Sequence, residues 1–257
     1  MKTIVCAIEK DGQGKSMLAS HIAWLGAATG KKVLAVDLDG QGNFSSYLLG
    51  DYDRSAAPCM SLFGKRPADP LKVEFPKGSP GSIHVFTGDK TLRSVDESER
   101  IATTALRDSL QTLANGFDMC VIDAPPGSAK RMEAGLIAAD HVVMPFEAKA
   151  ASVHGLNDLL ETLKSIQRDA NPHLNIIGLL PNRINSRSKH QQELLTLVQG
   201  IAPGKVLPFS IQERTSIEYA LELQIPVWQN VNGASHRLAA NEVLTACTHI
   251  LKTLFKK

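Results

Sequence analysis

Gly12, Gly14, Lys15 and Ser16 close the stretch AIEKDGQGKS (residues 7–16), and together they have the composition of a phosphate grip. Glycines let backbone N–H groups approach an anion, a lysine reaches its outer oxygens, and a hydroxyl can ligate magnesium. The usual spacing, G-x-x-x-x-G-K-[ST], wants glycine where this chain has Glu9. That substitution is tolerable if the first loop position tightens the turn without touching phosphate. A second cation, Lys10, and an acid, Asp11, lie inside the loop. Asp11 adds negative charge beside a polyphosphate, so its side chain is expected to point outward. Aspartate accepts unusual backbone angles better than most residues.

Two further segments end apolar runs in carboxylates. KVLAVDLDGQGN (32–43) carries Asp37 and Asp39 at the end of a strand pattern, and FDMCVIDAPPG (117–127) carries Asp123. Ligands of α/β sheets collect at such strand ends. A buried carboxylate there needs a partner or a cation. Two residues apart on a strand, Asp37 and Asp39 are expected on one face, and at least one should serve a magnesium site or an attacking water. Asp37 equally suits a plain hydrogen-bonded strand end. Asp123 after a hydrophobic run has the form of a Walker B element, whose carboxylate holds magnesium, usually through water.

The elements that must position these groups are legible as alternating patterns. Apolar runs of strand length recur at 3–8, 32–39, 83–88, 117–125, 140–148, 174–182 and 205–210. Helical patterns cover Ser16–Thr29, Arg100–Asn115, Ser152–Asp169, Lys189–Gln199, Glu213–Leu223 and Ser235–Phe255. Strands buried on both faces, alternating with helices, specify an α/β fold of three layers, a mainly parallel sheet between helices. Residues 50–82 are rich in proline, glycine and charge. They read as an irregular excursion, with one short helix around Met60–Gly64.

A chain of 257 residues fits one such domain, here residues 1–257. Its net charge of +2 does not by itself argue for nucleic acid. Bases outnumber acids beyond residue 180, hinting at a basic face. Cys6, Cys59, Cys120 and Cys247 lack C-x-x-C spacing, so no zinc or iron-sulfur site is suggested. The opening residues lack the pattern of a leader peptide, and a reducing cytoplasm fits.

KDGQGKS (10–16) resembles the deviant Walker A motif K-G-G-x-G-K-[ST] of the ParA/MinD family of P-loop ATPases, with Asp11 in place of a glycine. DLDGQGN (37–43) is similar to the family's D-x-D-P-Q-G-N, with Gly40 in place of proline. The resemblance implies ATP and Mg²⁺ as ligands and a loop, Lys10, Asp11, Gly12, Gln13, Gly14, Lys15, Ser16 and Met17, that binds ATP. It implies catalytic roles for Lys10, Lys15 and Asp39. Lys10 is the signature lysine that crosses an ATP-sandwiched homodimer to the partner's phosphates, and Asp39 orients water near the metal. Ser16, Asp39 and Asp123 form the metal side, and Asp37 supports the loop. Pro125, Pro126 and Gly127 resemble the switch loop that senses the γ-phosphate. Asn182 in LLPNRIN (179–185) stands where the family reads adenine, and Pro208 with Phe209 in VLPFS (206–210) resembles the wall over the ring.

ASVHGLNDLLETL (151–163) and ERTSIEYALELQIPVW (213–228) are similar to the ParA branch. That branch implies a cytoplasmic, nucleoid-associated ATPase. Its ATP-bound homodimer holds non-specific DNA, and a cargo-bound, ParB-like adaptor stimulates hydrolysis and releases it. Arg187, Lys189, Arg214 and Arg237 are the candidate phosphate contacts on DNA. No helix-turn-helix segment is expected before the loop. The competing reading is a MinD-like membrane-cycling ATPase whose anchor is the basic tail HILKTLFKK (249–257). Ile250, Leu251, Leu254 and Phe255 are read instead as a core-docking stripe. A small-molecule synthase on the same fold would need a shaped second site, for which no residues stand out.

Overall fold

The computed structural model describes residues 1–53, 55–73, 80–127, 129–150 and 155–256. The apolar runs become β1 (Lys2–Cys6), β2 (Lys32–Asp37), β3 (Leu71–Lys72), β4 (Ser82–Phe86), β5 (Met119–Asp123), β6 (His141–Phe146) and β7 (Asn175–Pro181). They form a seven-stranded sheet in the order β3-β4-β2-β5-β1-β6-β7. Every pairing is parallel except that of β3 with β4. The register decides where the central strands stop. Asp123 lies opposite Cys6 of β1 on one side and Asp37 of β2 on the other, so these strands finish level.

Alternation along each buried strand feeds two cores. Ile4, Val33, Ala35 and Val121 face α1 (Lys15–Ala28), α2 (Asn43–Leu49), α8 (Thr215–Glu222) and α9 (Gly233–Leu254). Val5, Leu34, Val36 and Ile122 face α4 (Ala105–Leu113), α5 (Lys130–Ala138), α6 (Leu156–Asp169) and α7 (Lys189–Ile201). A short α3 (Arg93–Glu97) precedes α4. In α9, Ile250 and Leu254 are fully buried and Leu251 nearly so, so the apolar stripe of the tail packs into the core. Among the described residues no helix is long and apolar enough to cross a membrane.

Two expectations need correction. The run at 205–210 is not a strand but lies along the outer edge of β7, with Leu179 N–H donating to Lys205 O and Leu207 N–H to Leu179 O. Pro208 has no N–H to continue that ladder. The excursion at 50–82 supplies the edge strand β3 instead, and its short helix is a 3₁₀ turn, Cys59–Phe63. Helices α2 and α5 were not anticipated. They run for seven and nine residues, and the unanticipated α3 for five. The expected start of α6 at Ser152 falls at 151–154, outside the described residues.

Candidate nucleotide site

The loop between β1 and α1 turns on glycine. Gly12 and Gly14 adopt φ of 76° and 91°, angles that side chains resist. A Cβ at Gly14 would lie 2.2 Å from Asn182 Nδ2. No side chain caps α1, so the N–H groups of its first turn remain open to an anion. Lys15 is 4% exposed and Ser16 Oγ donates to Asp123 Oδ2 at 2.5 Å. The loop is also clamped from the ends of β6 and β7. Glu147 N–H donates to Gln13 Oε1 at 2.7 Å, Asn182 Nδ2 to Gln13 O at 2.9 Å, and Arg183 Nη1 to Gly12 O at 3.3 Å. Glu9 accepts the Gly127 N–H on its carbonyl at 2.5 Å, tying the first loop position to the Pro125–Gly127 turn.

Lys10 is exposed and pairs with no acid among the described residues. Asp11 is exposed as expected, yet it stays on the cavity wall. Its Oδ1 accepts the Gly12 N–H at 2.8 Å and its Oδ2 faces Gln41 Nε2 at 3.5 Å.

The carboxylates divide their work differently from expectation. Asp37 and Asp39 do not share a face, because the chain turns at the end of β2 and Asp39 N–H folds back onto Asp37 Oδ1 at 3.1 Å. Asp37 Oδ2 accepts both Ser45 N–H (2.8 Å) and Ser45 Oγ–H (2.7 Å), anchoring α2. Burial nonetheless pushes Asp37 up to about 6. A Cβ at Gly88, just past β4, would lie 2.3 Å from Asp39 O and 2.7 Å from Asp37 Cγ. Asp39 is 8% exposed and accepts Gln41 N–H at 2.9 Å. It reaches the cavity, while Asp37 does not.

Asp123 is fully buried, and burial followed by the charge of Asp37 raises its carboxyl well above the ordinary range. Its Oδ1 is buried with no hydrogen-bond partner. A carboxylate held this way, beside a serine hydroxyl, fits a divalent cation. The described residues contain no cluster of three or more His, Cys, Asp or Glu suited to a metal. Such an ion would therefore take most of its ligands from phosphate and water, as Mg²⁺ commonly does.

Above the loop lies a cavity of about 340 Å³. Lys15, Ser16 and Asp39 line it, and Tyr47, Ile217 and Leu221 bring apolar surface to its wall. Asn182 is 1% exposed and its Oδ1 has no partner, so it has an acceptor to offer a base. Met17 lines the cavity too, but Pro208 and Phe209 do not. Phe209 instead meets the ring of His249 at a steep angle, and Gln212, Glu213 and Arg214 supply the wall. The sequence shows Arg183 only as one of the bases beyond residue 180, and Glu147 and Tyr47 carry no signal of a site role. Its place next to Asn182 is the one cue that ties Arg183 to the cavity.

Of the basic candidates, Arg187, Lys189 and Arg237 are exposed. Arg214 is not a free surface cation. Its side chain is 14% exposed and pairs with Glu242 at 2.8 Å, which offsets its charge.

A family model described as an AAA domain matches residues 1–176. Protein IncC of Escherichia coli is 34% identical over 252 residues, 97% of this chain and 69% of that protein. The chromosome-partitioning ATPase Soj of Treponema pallidum is 31% identical over 233 residues, 88% of each chain. This chain belongs to the ParA family of P-loop ATPases. Among solved structures, the ATP complex of Cyanothece McdA superposes on this ParA-family chain with a TM-score of 0.83 at 25% identity, covering 98% of this chain and 96% of McdA. The sheet order and flanking helices are those of a P-loop NTPase.

Proposed function

We propose that this ATPase is a dimerisation switch: bound to ATP it pairs with a second copy, holds DNA without sequence preference, and positions a cargo through an adaptor that stimulates hydrolysis. One joint arrangement carries the reading. A glycine-turned loop leads into an open helix N-terminus whose Ser16 pairs with Asp123, while Lys10 is exposed with no acid partner among the described residues. Residues 1–257 act as one ParA-type domain.

In this reading the N–H groups of Gly12 to Ser16 grip the phosphates and Lys15 neutralises their outer oxygens. Ser16 and Asp123 would hold Mg²⁺, which when bound would offset the negative charge of the phosphates. Asp39, which lines the cavity, orients the attacking water. Lys10 reaches the partner's phosphates, and a cation given in trans ties pairing to ATP. The unpartnered Oδ1 of Asn182 accepts from the adenine amino group. Arg187, Lys189 and Arg237 contact DNA phosphates, and pairing doubles a charged face that one copy uses poorly. The location is the cytoplasm, on the nucleoid. Relatives are named for chromosome partitioning and carboxysome distribution. The cargo here is of that kind, a plasmid, a chromosome region or a protein body. A membrane-cycling role is disfavoured because the tail stripe is already buried in α9.

The test is ATP turnover together with DNA retention and sedimentation. Lys15→Ala should lose ATP-dependent DNA binding. Asp39→Ala should stay dimeric and on DNA while turnover falls about 100-fold or more, and Lys10→Ala should bind ATP yet remain monomeric. Normal hydrolysis by Asp39→Ala would remove that carboxylate from the mechanism. Binding to anionic vesicles but not to DNA would overturn the DNA role.

A further inference from the structure

Arg183 has the most unusual setting in the cavity. It follows Asn182 at the end of β7 with φ of 51°, in the left-handed region that a residue with a long side chain seldom adopts. That backbone turns the guanidinium onto the cavity wall, where it makes three contacts. Nη1 donates to Gly12 O at 3.3 Å and to Glu147 Oε1 at 3.2 Å, and Nη2 to Glu218 Oε1 at 3.4 Å.

The two acids are unlike each other. The Glu147 side chain is 3% exposed, and Lys149 also pairs with it, so its charge is held in place. Glu218 lies on α8, its side chain is 60% exposed, and its contact is the longest of the three. An exposed pair of that kind is weak and easily exchanged. The cations lining the cavity are Lys15, Arg183 and Arg214, and Arg214 is committed to Glu242.

We propose that Arg183 is a phosphate-binding cation for the nucleotide and that Glu218 holds it back until the nucleotide arrives. This rests on the nucleotide reading of the cavity. The incoming polyphosphate displaces Glu218 from the guanidinium, Glu147 keeps the guanidinium at the loop, and α8 loses its tie to the cavity wall. Exchanging an exposed carboxylate for a phosphate fits a planar guanidinium, which forms paired hydrogen bonds with either anion.

Opposite effects of two substitutions test this. Affinity for ATPγS with Mg²⁺ is measured by calorimetry at one ionic strength for the wild type, Arg183→Gln, Glu218→Gln and the double variant. Arg183→Gln should weaken binding about tenfold or more, the range of a lost charged hydrogen bond. Glu218→Gln should tighten it about twofold to fivefold, the range of an exposed ion pair. In the double variant the Glu218 change should have no effect, because its partner is gone. If Arg183 only props the loop, Glu218→Gln will not tighten binding, and the inference falls. Tightening that persists in the Arg183→Gln background means Glu218 simply repels phosphate, which also overturns it. Should Arg183→Gln fold poorly by circular dichroism, Arg183→Asn keeps a residue that accepts the left-handed backbone. A wild type that binds no ATPγS overturns the nucleotide reading itself, whereas a binding wild type with an unresponsive Glu218 overturns only this inference.

Discussion

Acid should loosen the attachment of the C-terminal elements to α1 through one residue, His21. It is fully buried on α1, its Nδ1 lies 2.8 Å from Met17 O, and its Nε2 accepts the Val227 N–H at 3.2 Å. These partners fix a neutral ring with the proton on Nδ1. Protonation would put a second N–H against that of Val227, in a site closed to solvent. Burial accordingly lowers the pKa from 6.5 to about 4, with the Met17 carbonyl opposing slightly. The unfolded chain therefore binds the proton more readily than the folded one. The stabilising effect is complete above pH 6.5 and is lost as pH falls toward 4. At about 1.4 kcal/mol per pH unit, the full difference is about 3.5 kcal/mol, of which about 3 is lost by pH 4. Urea denaturation of the wild type and His21→Gln, followed from pH 7.5 to pH 4, isolates this residue from every other titrating group. The gap between the two proteins should shrink by about 3 kcal/mol across that range. A gap independent of pH would refute the assignment, since only a group that titrates differently on folding can produce the change.

Three shorter predictions concern the site. Asp11→Gly should tighten ATPγS binding about threefold to tenfold, because a carboxylate near the phosphates is removed and the Gly12 N–H is released; calorimetry checks it, and weaker binding would contradict the placement of Asp11. Asp123→Asn should make the ligand-free protein more stable to urea by about 1–3 kcal/mol, since it removes a buried charge facing Asp37, while abolishing stabilisation by Mg²⁺ with ATPγS. Gly88→Ala should destabilise by about 2 kcal/mol and slow hydrolysis, because its methyl group would press on the carbonyl of Asp39; melting curves and turnover rates check both.

How much of the site is legible in the sequence depends on distance along the chain. The phosphate loop can be read because Gly12, Gly14, Lys15 and Ser16 are neighbours, and Asp123 because it closes an apolar run. Asp37 and Asp39 are recognisable as important, but their division of labour is not. It follows from a turn at the strand end and from Ser45, on a seven-residue helix too short to show its period. Arg214 looks like a surface base because Glu242, its partner, is 28 residues away. Arg183 and Glu147 are invisible for a related reason. Their pairing joins the ends of neighbouring strands, and a positive φ at an arginine has no signature in composition. The run at 205–210 is apolar enough for a strand, and only the missing N–H of Pro208 argues against one.

The close approach of Gly14 to Asn182 limits how this ATPase can be re-engineered. The amide expected to choose the base also holds the carbonyl of Gln13 and fills the space that a side chain at 14 would need. Retuning the enzyme toward guanine by exchanging residue 182 would slacken its hold on triphosphate at the same time. On the role proposed for Asn182, selectivity and affinity are one trait, and a library aimed at the first must vary the loop as well.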